Sequence, residues 1–358
     1  MLILALDLRR ADTAHLLAMS YQFQGKFDRA EPLYLEAKRI LEANETVGRR
    51  RIGITLDALA QLRFEQSRWT EAEEFARQAM ALCSETRGES DSCTLNAKRH
   101  LGEIYSAEDR LTEAENLLQQ VISGTRANPS FVQILVPALR DQASINAARA
   151  QFKLAEPLLK EALDLSRKLG EERSDVADSL VALARFYRLQ KDPDRAEALL
   201  NKAVAIYEKN NDPCVAHASQ ELGLIALTRG KYAIAREQLL RTVSIYEKFL
   251  GPDHLNVAFA QVGLAEAFLG ERNFSTAHSL IDHVLAVESG ILTDSHFDEL
   301  ARAQMTAARI SQAQRRGSEA DTHYRQALAI YRRTTDSNNP DRIVAERQYE
   351  RFSKFFRK

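Results

Sequence analysis

The chain has 358 residues, with 49 Lys+Arg against 50 Asp+Glu, 45% hydrophobic residues, 14 Gly and 8 Pro. Charges that nearly cancel argue against a general nucleic-acid binder, which needs a basic excess to displace counterions from phosphates. So few glycines and prolines exclude an all-β chain rich in tight turns. The dominant Ala, Leu, Glu, Arg and Gln, all good helix formers, predict an all-α protein.

At the N-terminus, Met1-Leu2-Ile3-Leu4-Ala5-Leu6 is short and is followed by Asp7. It has no basic region before it and no small-residue cleavage site after it, so a signal peptide is not expected. No apolar stretch approaches the ~20 residues of a membrane span, and the expectation is a cytoplasmic protein without a membrane partner. Ala5-Leu6-Asp7-Leu8 echoes Ala162-Leu163-Asp164-Leu165, as if a degenerate half-repeat opened the chain.

Further along, one alanine recurs after a short polar turn: Ala30, Ala72, Ala114, Ala155, Ala196, Ala235, Ala277 and Ala320. The spacing stays between 39 and 43 residues. Seven residues after each stands a small or β-branched residue: Ala37, Ala79, Val121, Ala162, Ala203, Thr242, Val284 and Ala327. Three residues before stands a bulky one (Phe27, Trp69, Leu111, Phe152, Tyr232, Phe274), except for Pro193 and Gly317. An offset of seven returns to the same helical face, where small residues let two helices approach. Upstream of each turn, patterns such as Leu56-x-x-Leu59-Ala60 and Leu180-x-x-Leu183-Ala184 predict a second amphipathic helix. Each unit therefore reads as helix, tight turn, helix, with the turn plainest in Gln24-Gly25-Lys26-Phe27 and Arg229-Gly230-Lys231-Tyr232.

Repeat one, Leu17-Ala18-x-x-Tyr21-x-x-x-Gly25-Lys26-Phe27-x-x-Ala30-Glu31-x-x-Tyr34-x-x-Ala37, resembles the tetratricopeptide repeat family position by position. The common period of that family is about 34. The longer spacing here resembles the kinesin-light-chain subtype, as does the linker Tyr246-Glu247-Lys248-x-x-Gly251-Pro252-Asp253-His254-x-x-Val257-Ala258. HEAT and armadillo repeats share the period but lack the Gly-Lys-aromatic turn. No heptad coiled coil precedes the repeats, so a stand-alone array is expected rather than the light chain itself. The resemblance implies a right-handed superhelical solenoid of about eight repeats over residues 1–341, closed by a capping helix at 342–358. In that last helix Ala345, Tyr349, Phe352 and Phe356 form an apolar stripe, and Arg342, Arg347, Arg351, Lys354, Arg357 and Lys358 make its polar face basic. A homodimer or a membrane surface would be the alternative use of that stripe.

The three cysteines, Cys83, Cys93 and Cys214, show no CxxC spacing and read as free thiols in a reducing compartment. No phosphate loop, GxSxG elbow or HExxH is present. His278 and His283, five apart, do not share a helical face, and Trp69 sits at the repeated turn position, where packing explains it. Neither an enzyme nor a bound cofactor or metal is expected.

In the family this chain resembles, the first helix of each repeat lines an inner groove. Residues 18, 15, 11, 8 and 7 before each marker alanine then face that groove. These include Gln61, Arg99, Glu103, Arg140, Arg185, Arg188, Leu224, Leu227, Phe259, Val262 and Arg309. The family's usual asparagine is replaced by Met19, Gln61, Glu103, Ser144, Arg185, Leu224, Glu266 and Arg309. Central arginines followed by apolar residues suit an acidic peptide with a hydrophobic anchor, unless the arginines are already paired with Glu103 and Asp141. The expected function is a protein-interaction scaffold; a ligand-sensing regulatory module is the alternative.

Overall fold

A computed structural model describes residues 2–291, 297–334 and 340–356, and among them seventeen α-helices and one 3-10 turn. Met1, Arg357 and Lys358 lie outside the described residues. No described helix is long and apolar enough to cross a membrane.

The chain divides into two compact units. The first, Met1–Asp212, holds α1 (Leu2–Phe23), α2 (Phe27–Glu42), α3 (Glu45–Glu65), α4 (Trp69–Arg87), α5 (Ser92–Ala107), α6 (Leu111–Arg126), α7 (Val132–Ala148), α8 (Phe152–Leu169), α9 (Ser174–Leu189) and α10 (Pro193–Lys209). The second, Pro213–Lys358, holds α11 (Val215–Thr228), α12 (Tyr232–Leu250), α13 (Leu255–Gly270), α14 (Phe274–Ile291), α15 (Phe297–Ala313), α16 (Gly317–Thr334) and α17 (Pro340–Phe356). Within each unit a helix packs on its successor, and the odd-numbered helices α1 to α9 and α11 to α15 also touch the next odd-numbered one. This is the stacked-pair architecture of a solenoid, all-α as expected.

The periodic residues explain the pairing. All eight marker alanines, and all eight residues seven positions on, are 0% exposed. Side chains this small at both points bring the backbones of paired helices close, and only a tightly packed core keeps such positions dry. The bulky residue three before the marker opens the second helix of its pair, from Phe27 in α2 to Phe274 in α14. Pro193 opens α10 in the same place, where its missing N–H costs nothing.

The turns are more uniform than their sequences. The residue five before every marker alanine has positive φ, between 57° and 70°: Gly25, Ser67, Asp109, Ala150, Lys191, Gly230, Arg272 and Arg315. The next residue's N–H bonds back five residues, as Lys26 does to the Tyr21 carbonyl at 2.9 Å and Gln151 to Asn146 at 2.8 Å. That is the Schellman closure, which satisfies carbonyls left over at a helix end. Only two of the eight turns use the glycine that favours it.

Gly317 has a structural reason. A Cβ there would stand 2.0 Å from the Phe356 ring of α17. The last helix thus brings its own aromatic to a corner that earlier repeats fill from their second helix. Along the rest of α17, Ala345 and Phe352 are buried, and Phe352 stacks near Tyr324, Tyr349 and Phe356.

α1 runs unbroken from Leu2 to Phe23, so residues 5–8 lie on the same helix as the first helix of repeat one. One expectation changes. Cys83 and Cys93 are bonded to each other, not free. A lack of CxxC spacing says nothing about two helices meeting: Cys83 lies near the end of α4, Cys93 in the first turn of α5, and the fold sets their Cα atoms 5.7 Å apart. Cys214 takes no part in the disulfide.

Candidate functional site

The odd-numbered helices carry a set of half-buried charges that reach from one repeat to the next. In the first unit, Asp57 Oδ1 of α3 lies 2.7 Å from His100 Nδ1 of α5. Arg99 of α5 donates to Glu103 on its own helix at 3.1 Å and to Asp141 of α7 at 3.4 Å. Arg140 of α7 lies 3.2 Å from Asp178 of α9, whose carboxylate also accepts from the Tyr207 hydroxyl at 2.5 Å. Each link spans about one repeat, so the pairs connect four successive first helices.

Burial sets the electrostatics. Asp141 is pushed up to about 6 by burial, helped by the Glu103 charge and opposed by Arg99 and Arg140. Burial works against the charge on Arg99, but Glu103, Asp141 and Asp57 together raise its pKa. Glu65, on the last turn of α3, is pushed up to about 7 by burial, although Gln22 of α1 donates to it at 3.0 Å. In the second unit a comparable link joins Glu266 of α13 to Arg302 of α15 at 3.0 Å, Thr306 at 3.2 Å and Arg309 at 3.9 Å. Those cations hold the Glu266 carboxyl below its ordinary value despite its burial.

The expected groove residues fall into three groups. Arg99, Glu103, Arg140 and Arg309 belong to the ion-pair sets, so this part of the arginine row is already matched with carboxylates. Gln61 and Arg185 are exposed and Arg188 is half-buried, on the same register of α3 and α9. Leu224, Leu227 and Phe259 are half-buried, whereas Val262 is 2% exposed and packs in the core with Ala258 and Ile310. Val262 therefore presents no surface to a ligand.

Counting from the marker alanine missed His100 as a partner, whereas Asp178, eighteen residues before Ala196, falls on a counted position. His100 and Asp141 stand fourteen residues before their markers, one residue outside the positions counted as facing the groove, and there they reach the preceding repeat. That offset is the signal that finds them. His278 and His283 have separate neighbours, Asp282 at 3.5 Å and Gln261 at 3.0 Å. Among the described residues no group of three or more His, Cys, Asp or Glu is placed to hold a metal ion.

The family model for the MalT-like TPR region matches residues 58–315, and the tetratricopeptide repeat model matches 10–43 and 300–341. The chain belongs to the MalT-like tetratricopeptide repeat family. No curated protein matches this TPR chain. Among solved structures it is similar to a Rap protein complexed with competence and sporulation factor, at TM-score 0.62 and 14% identity, covering 96% of this chain and 99% of that one. RapI in its apo form gives TM-score 0.58 and 14% identity over 78% and 97%. The kinesin-light-chain-like BtubC (BKLC) of P. vanneervenii gives 0.51 and 17% over 65% and 93%. At such identities the likeness is one of fold, and it includes the long-repeat neighbour expected from the spacing. TPR repeats are in general protein–protein interaction modules.

Proposed function

We propose that this TPR protein is an interaction scaffold that holds a peptide segment along the first helices of its first unit. The observation that carries this reading is the chain of ion pairs Asp57–His100, Arg99–Asp141 and Arg140–Asp178. It fixes the spacing of α3, α5, α7 and α9 and orients their side chains before any ligand arrives, which lowers the entropy cost of binding. Arg99 and Arg140 use only part of their five-donor forks on these partners. Charge is also graded: α3 and α5 carry Asp57, Glu65 and Glu103 against Arg99, while α7 and α9 carry Arg140, Arg185 and Arg188 against Asp141 and Asp178. A ligand with a basic residue at one end and acidic residues at the other matches that gradient.

Three helix-to-helix steps of about 9 Å make roughly 27 Å, the length of about eight extended residues. In the second unit, Leu224, Leu227 and Phe259 form a separate half-buried apolar row suited to a hydrophobic side chain. A pool of random octapeptides selected on the immobilised protein tests the reading. Enriched peptides should place acidic residues at one end and lose at least tenfold in affinity for an Arg185→Glu/Arg188→Glu variant that keeps its helical circular dichroism. Enrichment without acidic residues, or affinity unchanged in the variant, would sink it.

A second reading, a regulatory module that senses a ligand, is favoured by one observation: the Rap protein of similar fold was solved with a factor bound. Ligand-dependent change in small-angle scattering would support it.

A further inference from the structure

Lys98 of α5 lies outside the first-helix face and is buried, with its side chain 8% exposed. Its Nζ is 2.5 Å from Glu89 Oε2 and donates to Gln120 Oε1 of α6 at 2.8 Å. Glu89 belongs to the short loop between α4 and α5, and its side chain is 67% exposed. Ser84 Oγ of α4 donates to the same carboxylate. Glu89, Lys98 and Gln120 line two open cavities at once, of about 1070 Å³ and 520 Å³. The bridge they form is a strut across a single hollow.

Burying an ammonium is costly unless it is paired and hydrogen-bonded. Here its charge partner is a solvent-exposed loop carboxylate, free to leave by rotation of its own side chain. A lysine offers three donors, and Glu89 and Gln120 engage two of them. The hollow around it is neutral and polar on one wall, with Asn116, Gln119 and Ser123 of α6. It is apolar on another, with Leu95 and Phe131. Carboxamides at that density hydrogen-bond a peptide backbone, and the apolar wall takes a side chain.

We propose that this hollow binds the C-terminal carboxylate of a peptide, which takes the place of Glu89 on Lys98. Lys98 is the single cation in the lining, while Glu85 and Glu89 stand on its rim, so the site matches a monoanion and repels a phosphate dianion. Ser84, released from Glu89, becomes a second donor to the incoming carboxylate. The site is separate from the first-helix face and does not rest on the reading given for it.

The probe is a fluorescein-labelled pentapeptide pool with its last two positions randomised, prepared both as free acid and as C-terminal amide. Fluorescence anisotropy should show the free acid binding Glu89→Gln at least tenfold more tightly than wild type, because the internal competitor is gone. Combining Glu89→Gln with Lys98→Met should abolish that binding, and the amide pool should bind no variant. Glu89→Gln keeps a loop acceptor beside Lys98, which Gln120 also holds, so it keeps its helical circular dichroism whatever happens to Lys98→Met, and its affinity for the acid pool alone decides. Equal binding of acid and amide, no gain in Glu89→Gln, or competition by inorganic phosphate at equal concentration would each overturn the assignment.

Discussion

Arg63 of α3 grips Glu31 of α2 through two parallel hydrogen bonds, one of them Nη1 to Oε2 at 2.7 Å, with the arginine side chain only 6% exposed. A guanidinium fork facing a carboxylate in this way is the strongest common polar contact between helices. It ties the second helix of repeat one to the first helix of repeat two, where small apolar side chains alone leave the angle loosely fixed.

Arg63 holds the Glu31 carboxyl below its ordinary value, chiefly by hydrogen bonding. The folded state therefore favours the ionised form, and this contribution is complete above the ordinary carboxylate range. It is lost as pH falls through the lower, folded value. Glu31→Gln should cost about 1.5 kcal/mol at pH 7. Urea midpoints of wild type and variant should converge as pH falls below the folded value of Glu31; a gap that persists in acid would mean the pair acts by packing alone.

Glu65 gives the opposite sign. Burial pushes its carboxyl up to about 7, so between its unfolded value and neutrality the folded chain keeps a proton that the unfolded chain releases. Its contribution is present at low pH and is lost as pH rises through about 7. Glu65→Gln should gain on the order of 1–3 kcal/mol over wild type at pH 8 and close to nothing at pH 4. Paired denaturation curves at the two pH values check this.

Six turns place a residue other than glycine in the left-handed region, among them Ala150 at φ 57° and Lys191 at φ 58°. An L-residue pays roughly 1–2 kcal/mol for that conformation; glycine offsets part of its advantage by greater freedom in the unfolded chain. Ala150→Gly and Lys191→Gly should each stabilise the protein by about 1 kcal/mol, visible as higher melting temperatures. A Gly230→Ala change should do the reverse.

The same turns show what the sequence makes legible. Marker alanines and their partners seven residues on mark core contacts directly, because buried smallness repeats with the fold. The turn conformation repeats too, but Ser67, Asp109, Ala150 and Lys191 share no side-chain chemistry, so only the spacing betrays it. Ion pairs such as Arg140–Asp178 were hidden for a different reason. Charges are common on every helix face, and which carboxylate meets which arginine depends on how far one first helix is offset along the next. Lys98 was invisible likewise: nothing in a lone lysine on a predicted helix distinguishes a buried ammonium from a solvated one.

The cysteine reading changed through tertiary placement alone, and it is simple to check. With Cys83 and Cys93 bonded, the denatured, unreduced chain should titrate one thiol, Cys214. After reduction it should titrate all three cysteines. Three thiols before reduction would show the pair open in solution.

The last helix offers a contrast between two phenylalanines three residues apart. Phe352 is 6% exposed and meets the rings of Tyr324 and Phe356 at 5.2 Å, whereas Phe355 is 84% exposed. Phe352→Ala removes a buried ring from the end of the stack and should destabilise the second unit by about 3–4 kcal/mol. Phe355→Ser should leave stability within about 0.5 kcal/mol of wild type. If α17 instead served to join two copies of the chain, the ranking would change in a second readout. Light scattering would then show a dimer in wild type that Phe355→Ser converts to a monomer of unchanged melting temperature. A cap predicts the same mass for both proteins and a lowered melting temperature for Phe352→Ala alone, because the ring that closes the core is the one facing α16.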